Sequence, residues 1–269
     1  MENIIIPTPY KILDIKKMTD IEFLFRLEYP DAGKIEFGEF MQLSLPKVGE
    51  CPISVTDFSA QEGWIEFLIR KVGIVTDEIF NLRIGDLIPL RGPYGKGFDF
   101  KNFKDKKLVI ATGGSGLAPV RSLINYIYKN PDEIKSLELL FGFKDFDSIL
   151  FKNEIAEWKK KFPMILTVDK GCGLDGECVG LVTEYVPQLK ISHNNFDDLE
   201  VIIVGPPMMM KFTALEFEKL GVPLEKIWVS FERKMSCAVG KCGHCRIDEV
   251  YVCLEGPVFN YSQAKYLVD

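Results

Sequence analysis

Residues 1–100 alternate short runs of apolar, β-branched and aromatic positions with turn-forming residues. Runs of this length at such regular spacing are typical of a small antiparallel barrel, because each strand buries one face and a turn follows soon after. The pattern therefore predicts an N-terminal antiparallel β-barrel. Its predicted strands are residues 10–15, 21–27, 40–45, 64–69 and 86–90.

The pattern changes after residue 106. Residues 107–112 have the pattern of a buried strand, with an apolar run from Leu108 to Ala111. A glycine-rich turn follows, and apolar positions from Val120 to Ile127 then keep helical spacing. Strand and helix patterns alternate from there on, which predicts a doubly wound α/β domain with a mainly parallel sheet. The further predicted strands are 137–141, 164–168, 200–204 and 227–231, and the further helices are 153–160, 181–189 and 208–220.

Three segments follow from these patterns. Residues 101–107 are charged and lack apolar periodicity, so the first domain boundary is placed there. We predict a barrel domain over residues 1–100, an α/β domain over 106–232 and a cysteine-rich tail over 233–269.

Composition excludes several classes of protein. A chain of 269 residues is long enough for about two domains. A formal net charge of -6 and a pI near 5.2, with no basic tract, argue against a nucleic-acid partner. No apolar run reaches the roughly 18 residues of a membrane span, and the start lacks a basic segment ahead of an apolar one. We expect a soluble protein of the cytoplasm.

The tail carries the strongest chemical signal. Three cysteines have the spacing C-x4-C-x2-C, and a fourth follows after seven more residues. This is the spacing of a plant-type 2Fe-2S site, whose irons are held by four thiolates. Small residues at Ala238, Gly240 and Gly243 allow the backbone to approach such a cluster closely. The predicted metal ligands are Cys237, Cys242, Cys245 and Cys253.

Structural zinc is the alternative for these cysteines, but zinc usually takes its four thiolates from two C-x2-C pairs, and only one such pair is present. His244 lies inside that pair, where a side chain on a tight loop points outward, so we interpret it as solvated. Three cysteines remain. Cys51 lies in the predicted barrel. Cys172 and Cys178 lie in a loop rich in Gly and Asp. We interpret these two as ordinary thiols, and the alternative is a second redox pair.

Two turns predicted in the barrel have candidate chemistry. In the turn at residues 51–55, Pro52 stiffens the entry and Ser54 offers a hydroxyl. In the turn at 70–76, Gly73 permits close backbone approach and Thr76 is expected to cap a short helix beside Arg70. A helix start with free N–H groups would suit a phosphate group. The alternative, favoured for each turn by itself, is an ordinary barrel turn.

The α/β domain has a glycine-rich turn, Gly113 to Pro119, between its first strand and helix. Such a turn presents backbone amides and a helix N-terminus to a pyrophosphate. The segment from Gly205 to Met208 follows a parallel strand and is expected to face this turn across the crevice, although the run Met208–Met210 reads more readily as core. A glycine turn alone is a weak signal, since any strand–helix unit can contain one.

A nicotinamide site and a 2Fe-2S cluster together require a third cofactor. Nicotinamide gives up a hydride, which carries two electrons, whereas the cluster accepts one electron at a time. Flavin is the common converter between them. The need for a flavin makes a flavin-binding role more credible for the two barrel turns. Hydride and electron transfer also fit the absence of any evident nucleophile or acid–base pair in the sequence.

These motifs together resemble the ferredoxin–NADP reductase superfamily over nearly the whole chain. The resemblance is carried by 52–55, 72–76, 92–95, the glycine-rich turn, the segment 205–208 and the cysteine tail. The tail is most similar to the B subunits of anaerobic, NADH-dependent sulfite reductases. It is less similar to the electron-transfer subunits of dihydroorotate dehydrogenase and to the gamma subunits of sulfur-reducing hydrogenases.

The resemblance implies an oxidoreductase subunit that oxidises NADH through FAD and passes single electrons through the 2Fe-2S cluster. The implied partners are other subunits of a reductase complex, ferredoxin-like and sirohaem-containing, that reduce sulfite to sulfide. One departure concerns Cys51, which stands where the superfamily usually has an arginine that pairs with flavin phosphate; Arg70 is the candidate substitute. A chain of another class, a zinc-stabilised nucleotide-binding module without redox turnover, is the remaining alternative.

The site residues that the resemblance implies fall into two sets. The flavin set is Pro52, Ile53, Ser54, Val55, Arg70, Gly73, Val75 and Thr76. The nicotinamide set is Gly113, Gly114, Ser115, Gly116, Ala118, Pro119, Gly205, Pro206, Pro207 and Met208. For the nucleotide itself we expect NADH, because Lys144 is flanked by Asp145 and Asp147 where an NADP site needs cations.

Overall fold

The computed structural model describes residues 5–170, 178–190 and 196–267. The chain forms two compact units. The first unit comprises Met1–Phe98, Ala118–Ser122 and Glu232–Pro257, and the second comprises Asp99–Leu117, Leu123–Phe231 and Val258–Asp269. The predicted division into 1–100, 106–232 and 233–269 stays a prediction.

The first unit contains a seven-stranded antiparallel sheet in the order β4-β3-β7-β1-β2-β6-β5. All five predicted strands are present, and the predicted antiparallel barrel is confirmed. The strands are β1 (Thr8–Lys17), β2 (Glu22–Glu28), β3 (Phe40–Leu45), β4 (Gly49–Ser54), β5 (Asp57–Ser59), β6 (Trp64–Arg70) and β7 (Leu87–Tyr94). One short helix, α1 (Ile74–Ile79), follows β6.

The barrel core follows the two-residue period of its strands. Phe25 and Leu27 on β2 are fully buried, as are Ile65, Phe67 and Ile69 on β6. Side chains two residues apart point to the same face of a strand, so these positions fill one interior. The intervening Arg26 and Glu66 are paired across the two strands and form a salt bridge at 2.7 Å.

Residues 51–55 correct one prediction: they do not form a turn. Residues 49–54 form the edge strand β4, which pairs with β3 so that Pro52 stands opposite Gln42. Proline has no N–H to donate to a ladder, and an edge strand is the place in a sheet that tolerates it.

The cysteine-bearing segment of the first unit has little regular structure. It contains the two-stranded ribbon of β14 (Arg246–Ile247) and β15 (Val250–Tyr251), followed by α6 (Val252–Glu255). The backbone of Lys96, which follows β7, donates a hydrogen bond to the carbonyl oxygen of Gly256 at 2.5 Å. This segment therefore packs against the end of β7.

The second unit contains a seven-stranded sheet in the order β11-β10-β9-β8-β12-β13-β16. All its neighbours are parallel except β13 and β16, so the predicted doubly wound, mainly parallel sheet is confirmed. The strands are β8 (Lys107–Gly113), β9 (Ser136–Phe143), β10 (Met164–Val168), β11 (Cys178–Val179), β12 (Leu199–Val204), β13 (Ile227–Ser230) and β16 (Val258–Asn260).

The predicted helices of this part of the chain are present, and one is shorter than predicted. The helix predicted over 181–189 becomes α4 (Val182–Tyr185) and then a 3-10 turn up to Gln188, in keeping with Pro187, which cannot continue the α-helical hydrogen bonding. The other helices are α2 (Ala118–Lys129), α3 (Lys152–Lys161), α5 (Pro207–Lys219) and α7 (Tyr261–Ala264). Across the described ranges, no helix is long and apolar enough to cross a membrane.

Candidate functional site

The four predicted metal ligands lie in the segment 232–257 of the first unit. Three are in the irregular loop before β14, and the fourth is on the one-turn helix α6. Cys242 is exposed, whereas Cys245 and Cys253 are buried. His244 is exposed, as predicted for a side chain on a tight loop.

The loop owes its curvature to three left-handed residues. Ala238, Gly240 and Gly243 have φ angles of 57°, 68° and 80°. Glycine adopts this conformation without strain, whereas an alanine has a cost of roughly 1–2 kcal/mol. Ala238 is nevertheless held there, with 2% of its surface exposed. The turns direct several consecutive amides toward the inside of the loop.

Those amides point at the cysteine sulfurs. Three of them donate to Sγ of Cys237 at 3.3 to 3.4 Å, and one donates to Sγ of Cys253 at 3.2 Å. Amide hydrogen bonds favour the thiolate, which is the form that binds metal, and hydrogen bonds to the sulfurs tune a bound cluster. The donor set therefore fits a group held by thiolates. The donors are the amides of Val239, Gly240, Lys241 and Cys242.

The thiols form two hydrogen-bonded pairs. Cys242 interacts with Cys237, and Cys253 interacts with Cys245. Hydrogen bonds from the backbone of Cys237 and His244 lower the pKa of Cys242 to about 7, whereas burial raises the pKa of Cys253 to about 12. Within the described ranges, no three His, Cys, Asp or Glu side chains are placed to hold one metal ion. Two cysteine pairs are the protein ligands that a two-iron cluster requires.

Arg91 on β7 connects the barrel to the cysteine loop. Its guanidinium donates to the carbonyl oxygens of Ser236 and Cys237, the latter at 2.6 Å, and to the hydroxyl of Tyr94 at 3.3 Å. The same group forms a salt bridge with Glu50 on β4. Arg91 is buried, so these contacts are shielded from solvent.

Glu50 is held in its charged form. Burial raises the pKa of its carboxyl, but hydrogen bonds from Arg91 and Ser44 outweigh burial, and the net pKa lies below the ordinary value. The hydroxyl of Ser44 donates to Glu50 at 2.6 Å. No sequence motif pointed to this network, although Arg91 comes immediately before the 92–95 motif.

The edge strand β4 divides the predicted flavin residues between its two faces. Ile53 and Cys51 pack against the barrel core, as does Val75 from α1. Pro52 and Ser54 are paired with Gln42 and Phe40 of β3 and so lie on the opposite face, which also carries Glu50. Burial raises the pKa of the Cys51 thiol to about 12, so this position offers no charge to a phosphate.

The 70–76 turn leaves backbone open to solvent. A Cβ atom at Gly73 would meet nothing within 4 Å, and Arg70 is exposed while lying 3.4 Å from Glu22. Thr76 caps α1, as predicted, and it does so from the third position of the helix. Its hydroxyl reaches back to accept from the amides of Val72 and of the N-cap residue Gly73 at 3.0 and 3.1 Å.

The glycine-rich turn after β8 is shaped by close packing. A Cβ atom at Gly113 would lie 2.4 Å from Sδ of Met209, and one at Gly116 would lie 2.4 Å from the carbonyl oxygen of Val204. By contrast, Gly114 has a φ of 54° and open space at its Cβ position. Ser115 is half-buried, and Ala118 and Pro119 start α2.

The turns after β8 and β12 lie side by side, as predicted. A Cβ atom at Gly205 would lie 3.0 Å from the amide nitrogen of Gly113. Pro206 and Pro207 are exposed at the start of α5. The run of methionines is not uniformly core: Met210 is buried, but Met208 is 60% exposed because it lies on the outer side of the first turn of α5.

Two carboxylates, those of Asp145 and Asp169, interact electrostatically beyond the ends of β9 and β10. Asp145 accepts from the amide of Ser148 at 2.9 Å. Burial raises the pKa of Asp169, Lys170 opposes this and Asp145 adds to it, so the net pKa is above the ordinary value. Asp169 was not among the predicted site residues; its position directly after a parallel strand was the available signal. The predicted alternative role of Cys172 falls outside the described residues, and Cys178 is a half-buried free thiol.

An antiparallel barrel, a parallel sheet with a glycine-rich first turn and an amide-lined cysteine loop define an oxidoreductase of the ferredoxin–NADP reductase type. Two family models match: residues 109–214 match the oxidoreductase NAD-binding domain, and residues 232–265 match the iron-sulfur cluster binding domain of dihydroorotate dehydrogenase B. The chain belongs to the family of electron-transfer subunits that includes sulfhydrogenase gamma subunits and the dihydroorotate dehydrogenase B electron transfer subunits.

Relatives match over most of their length. Sulfhydrogenase 1 subunit gamma of Pyrococcus furiosus is 34% identical over 268 residues, covering 93% of this chain and 89% of that protein. The dihydroorotate dehydrogenase B (NAD(+)) electron transfer subunit of Clostridium perfringens is 29% identical, covering 91% of this chain and 94% of that protein.

Solved structures share the fold. An NADH-dependent reduced ferredoxin-NADP oxidoreductase has a TM-score of 0.79 at 24% identity, covering 94% of this chain and 88% of that chain. A ferredoxin NADP+ reductase from Neisseria gonorrhoeae has a TM-score of 0.70 at 19% identity, covering 82% and 97%.

Proposed function

We propose that this chain oxidises NADH with a bound FAD and passes single electrons through a 2Fe-2S cluster to a partner subunit. The observation that carries the proposal is the cysteine loop, in which four backbone amides donate to the sulfurs of two predicted ligands. A loop organised around thiolate sulfur supports a redox cluster more directly than any single sequence motif.

The cluster would be held by two pairs of cysteines, Cys237 with Cys242 and Cys245 with Cys253. The pairing supports two irons over a single zinc ion, because zinc in a structural site takes all four thiolates itself. The exposed Cys242 marks the side of the loop that an electron acceptor would approach.

The flavin would be bound by the edge strand β4 and the 70–76 turn. Ile53 and Val75, which both pack against the barrel core, would provide apolar contact for the ring system. Arg70 and the open backbone at Gly73 would meet the phosphates, replacing the arginine that Cys51 does not supply, and the buried Thr76 would hold the turn through its hydroxyl. Flavin, when bound, supplies the conversion of a two-electron hydride into single electrons.

The nicotinamide nucleotide would lie over the turns after β8 and β12. Gly114, with open space on its left-handed backbone, would face the pyrophosphate, and the N-terminus of α2 would contribute its amides. Ser115, Ala118, Pro119 and the exposed residues Pro206 to Met208 would complete the contact surface. Gly113, Gly116 and Gly205 would act indirectly, by letting the two turns pack.

The proposal also concerns which partner subunit accepts the electrons. The relatives described above are subunits of a sulfhydrogenase and of a dihydroorotate dehydrogenase. They favour a hydrogenase or a dihydroorotate dehydrogenase as the partner over the sulfite reductase that the sequence suggested.

Anaerobic purification tests the proposal. We expect a brown-yellow protein with flavin absorption overlaid on cluster absorption, about two irons and two acid-labile sulfides per chain, and FAD on denaturation. A colourless protein that contains zinc and no flavin would contradict electron transfer and leave the nucleotide-binding alternative.

Copurification from the native cell, followed by mass spectrometry, tests the partner. A hydrogenase or dihydroorotate dehydrogenase subunit that accepts electrons from NADH in the purified complex would support the partner proposed above. A sirohaem-containing partner that reduces sulfite would overturn it in favour of the sulfite reductase.

A further inference from the structure

Arg91 uses its whole donor set inside the protein. A guanidinium has five N–H groups, and here Nε faces both carboxylate oxygens of Glu50 at 3.1 and 3.0 Å. Nη1 donates to Tyr94 and Cys237, and Nη2 donates to Glu50 and Ser236. Every N–H group of this side chain therefore has an acceptor within the first unit.

The two acceptors in the cysteine loop are consecutive backbone carbonyls, those of Ser236 and Cys237. A fork that binds two adjacent carbonyls fixes both the position and the orientation of that peptide, which a single hydrogen bond does not do. Cys237 is the predicted ligand whose sulfur receives three of the four amide hydrogen bonds. The guanidinium thus holds the backbone at the start of the cluster loop.

Burial strengthens the effect of the cation. Arg91 is 5% exposed, whereas the side chain of its carboxylate partner keeps 30% of its surface exposed. Charges shielded from water act over longer distances than solvated ones, because the effective dielectric constant is lower. A cation next to a metal ligand favours the more negative, reduced state of a bound cluster, and an anion beside that cation opposes it.

Resting on the proposed function, we propose that Arg91 is a positioning residue for the cluster: it fixes the loop at Cys237 and, balanced by Glu50, sets the reduction potential of the cluster. Both roles follow from the same contacts. The guanidinium orients the peptide of the ligand and places a positive charge beside it, while Glu50 anchors the guanidinium to β4.

The sign of the potential shift separates this role from general stability. Arg91→Met removes the cation and leaves Glu50 charged, so the potential falls. Glu50→Gln removes the anion but keeps the size of the side chain and one acceptor oxygen, so the potential rises. We expect each substitution to change the equilibrium constant of the one-electron reduction about tenfold, which corresponds to a shift in potential of about 59 mV. If the pair only stabilised the loop, both variants would loosen it and shift the potential in one direction.

Arg91→Lys and Arg26→Met complete the set of variants. Lysine keeps the charge but loses the bidentate geometry, so the potential stays nearer to wild type while amide hydrogen exchange in residues 237–243 becomes faster. Arg26→Met removes one positive charge from the barrel where the side chain contacts Glu66 instead of the cysteine loop. We expect its potential to match wild type.

The experiment is anaerobic redox titration of each purified, cluster-containing protein, monitored by visible and electron paramagnetic resonance spectra, with hydrogen exchange on the same samples. Opposite shifts for Arg91→Met and Glu50→Gln support the inference. Shifts of one sign, or shifts no larger than that of Arg26→Met, overturn it. If Arg91→Met does not fold, Glu50→Gln decides by itself, and an unchanged or lower potential overturns the inference. A wild-type protein without iron and sulfide would instead overturn the proposed function.

Discussion

The backbone amide of Gly240 donates a hydrogen bond to Sγ of Cys253 at 3.2 Å, joining the three-cysteine loop to the helix that carries the fourth cysteine. This contact depends on the absence of a side chain. Gly240 has a φ of 68°, and a Cβ atom there would lie 2.2 Å from Cδ1 of Leu254, the residue after Cys253. A larger residue would have to displace the Leu254 side chain, which is 48% exposed, or move the amide away from the sulfur.

Gly240→Ala is therefore expected to reduce cluster occupancy and to destabilise the folded protein by about 1–3 kcal/mol, since strain at a left-handed position adds to the clash. Iron and sulfide content and thermal unfolding measure the two effects.

Gly243→Ala is the matched control for that substitution. Its φ of 80° imposes the same kind of backbone strain, but nothing lies within 4 Å of its Cβ position. We expect it to keep most of its iron. The double variant with Leu254→Ala removes the obstruction and is expected to recover part of the iron lost by Gly240→Ala; equal iron loss in the single and double variants would refute the steric explanation.

Replacing any one of the four predicted ligand cysteines by serine is expected to remove or destabilise the cluster. Reduction of the flavin by NADH is expected to persist, because hydride transfer comes before the single-electron step. Single-turnover absorbance changes follow the flavin, and iron analysis follows the cluster. The variants are Cys237→Ser, Cys242→Ser, Cys245→Ser and Cys253→Ser.

Cys51→Ser, Cys172→Ser and Cys178→Ser are the controls for the ligand variants. All three are expected to retain iron. Loss of iron from Cys172→Ser or Cys178→Ser would show that the ligands are assigned to the wrong cysteines.

Glu39 gives the barrel a pH dependence. Burial raises the pKa of this carboxyl to about 7 from its ordinary value of 4.5, against the hydrogen bond that it accepts from the amide of Glu36 at 2.8 Å. Between these two pKa values the unfolded chain releases a proton that the folded chain keeps, so stability falls as pH rises through this window. Below it there is no penalty, and above it the penalty is constant.

Glu39→Gln is therefore expected to stabilise the protein at pH 8, by on the order of 2 kcal/mol, and to have little effect near pH 4.5. The glutamine oxygen still accepts from Glu36. Denaturant unfolding at several pH values measures the difference, and a gain that is the same at every pH would argue against titration of Glu39.

The two carboxylates beyond β9 and β10 predict the choice of nucleotide. A 2′-phosphate placed near Asp145 and Asp169 would meet negative charge, at a cost on the order of 1 kcal/mol for each carboxylate. We expect at least about a tenfold preference for NADH over NADPH in kcat/KM, or about 1.4 kcal/mol, measured as steady-state reduction of an artificial acceptor.

Asp145→Asn tests the cause of that preference. Asparagine still accepts from the amide of Ser148 but carries no charge, so the preference for NADH is expected to decrease. Asp132→Asn removes an exposed carboxylate elsewhere in the same unit and is expected to leave the preference unchanged. Equal efficiency with both nucleotides in the wild-type protein would mean that these charges face solvent.

Sequence alone determined the layout of the chain. Two-residue and helical periods are local properties, so five barrel strands, the longer parallel strands and the cysteine spacing are visible along the chain. The short strands β4, β5 and β11 were not predicted. The tertiary structure decided what depends on contacts between distant segments. It turned the predicted 51–55 turn into an edge strand, because β3 supplies its hydrogen bonds. It also added β16 to the sheet as an antiparallel strand.

The site shows the same division. Four cysteines are countable in the sequence, but the amide hydrogen bonds to their sulfurs require a loop folded at three left-handed residues. Arg91 and Cys237 are 146 residues apart, and no local pattern relates a barrel arginine to a carbonyl in the tail. Spacing along the chain fixes which residues can be ligands, whereas their orientation and electrostatic surroundings come from segments that only the folded chain brings together.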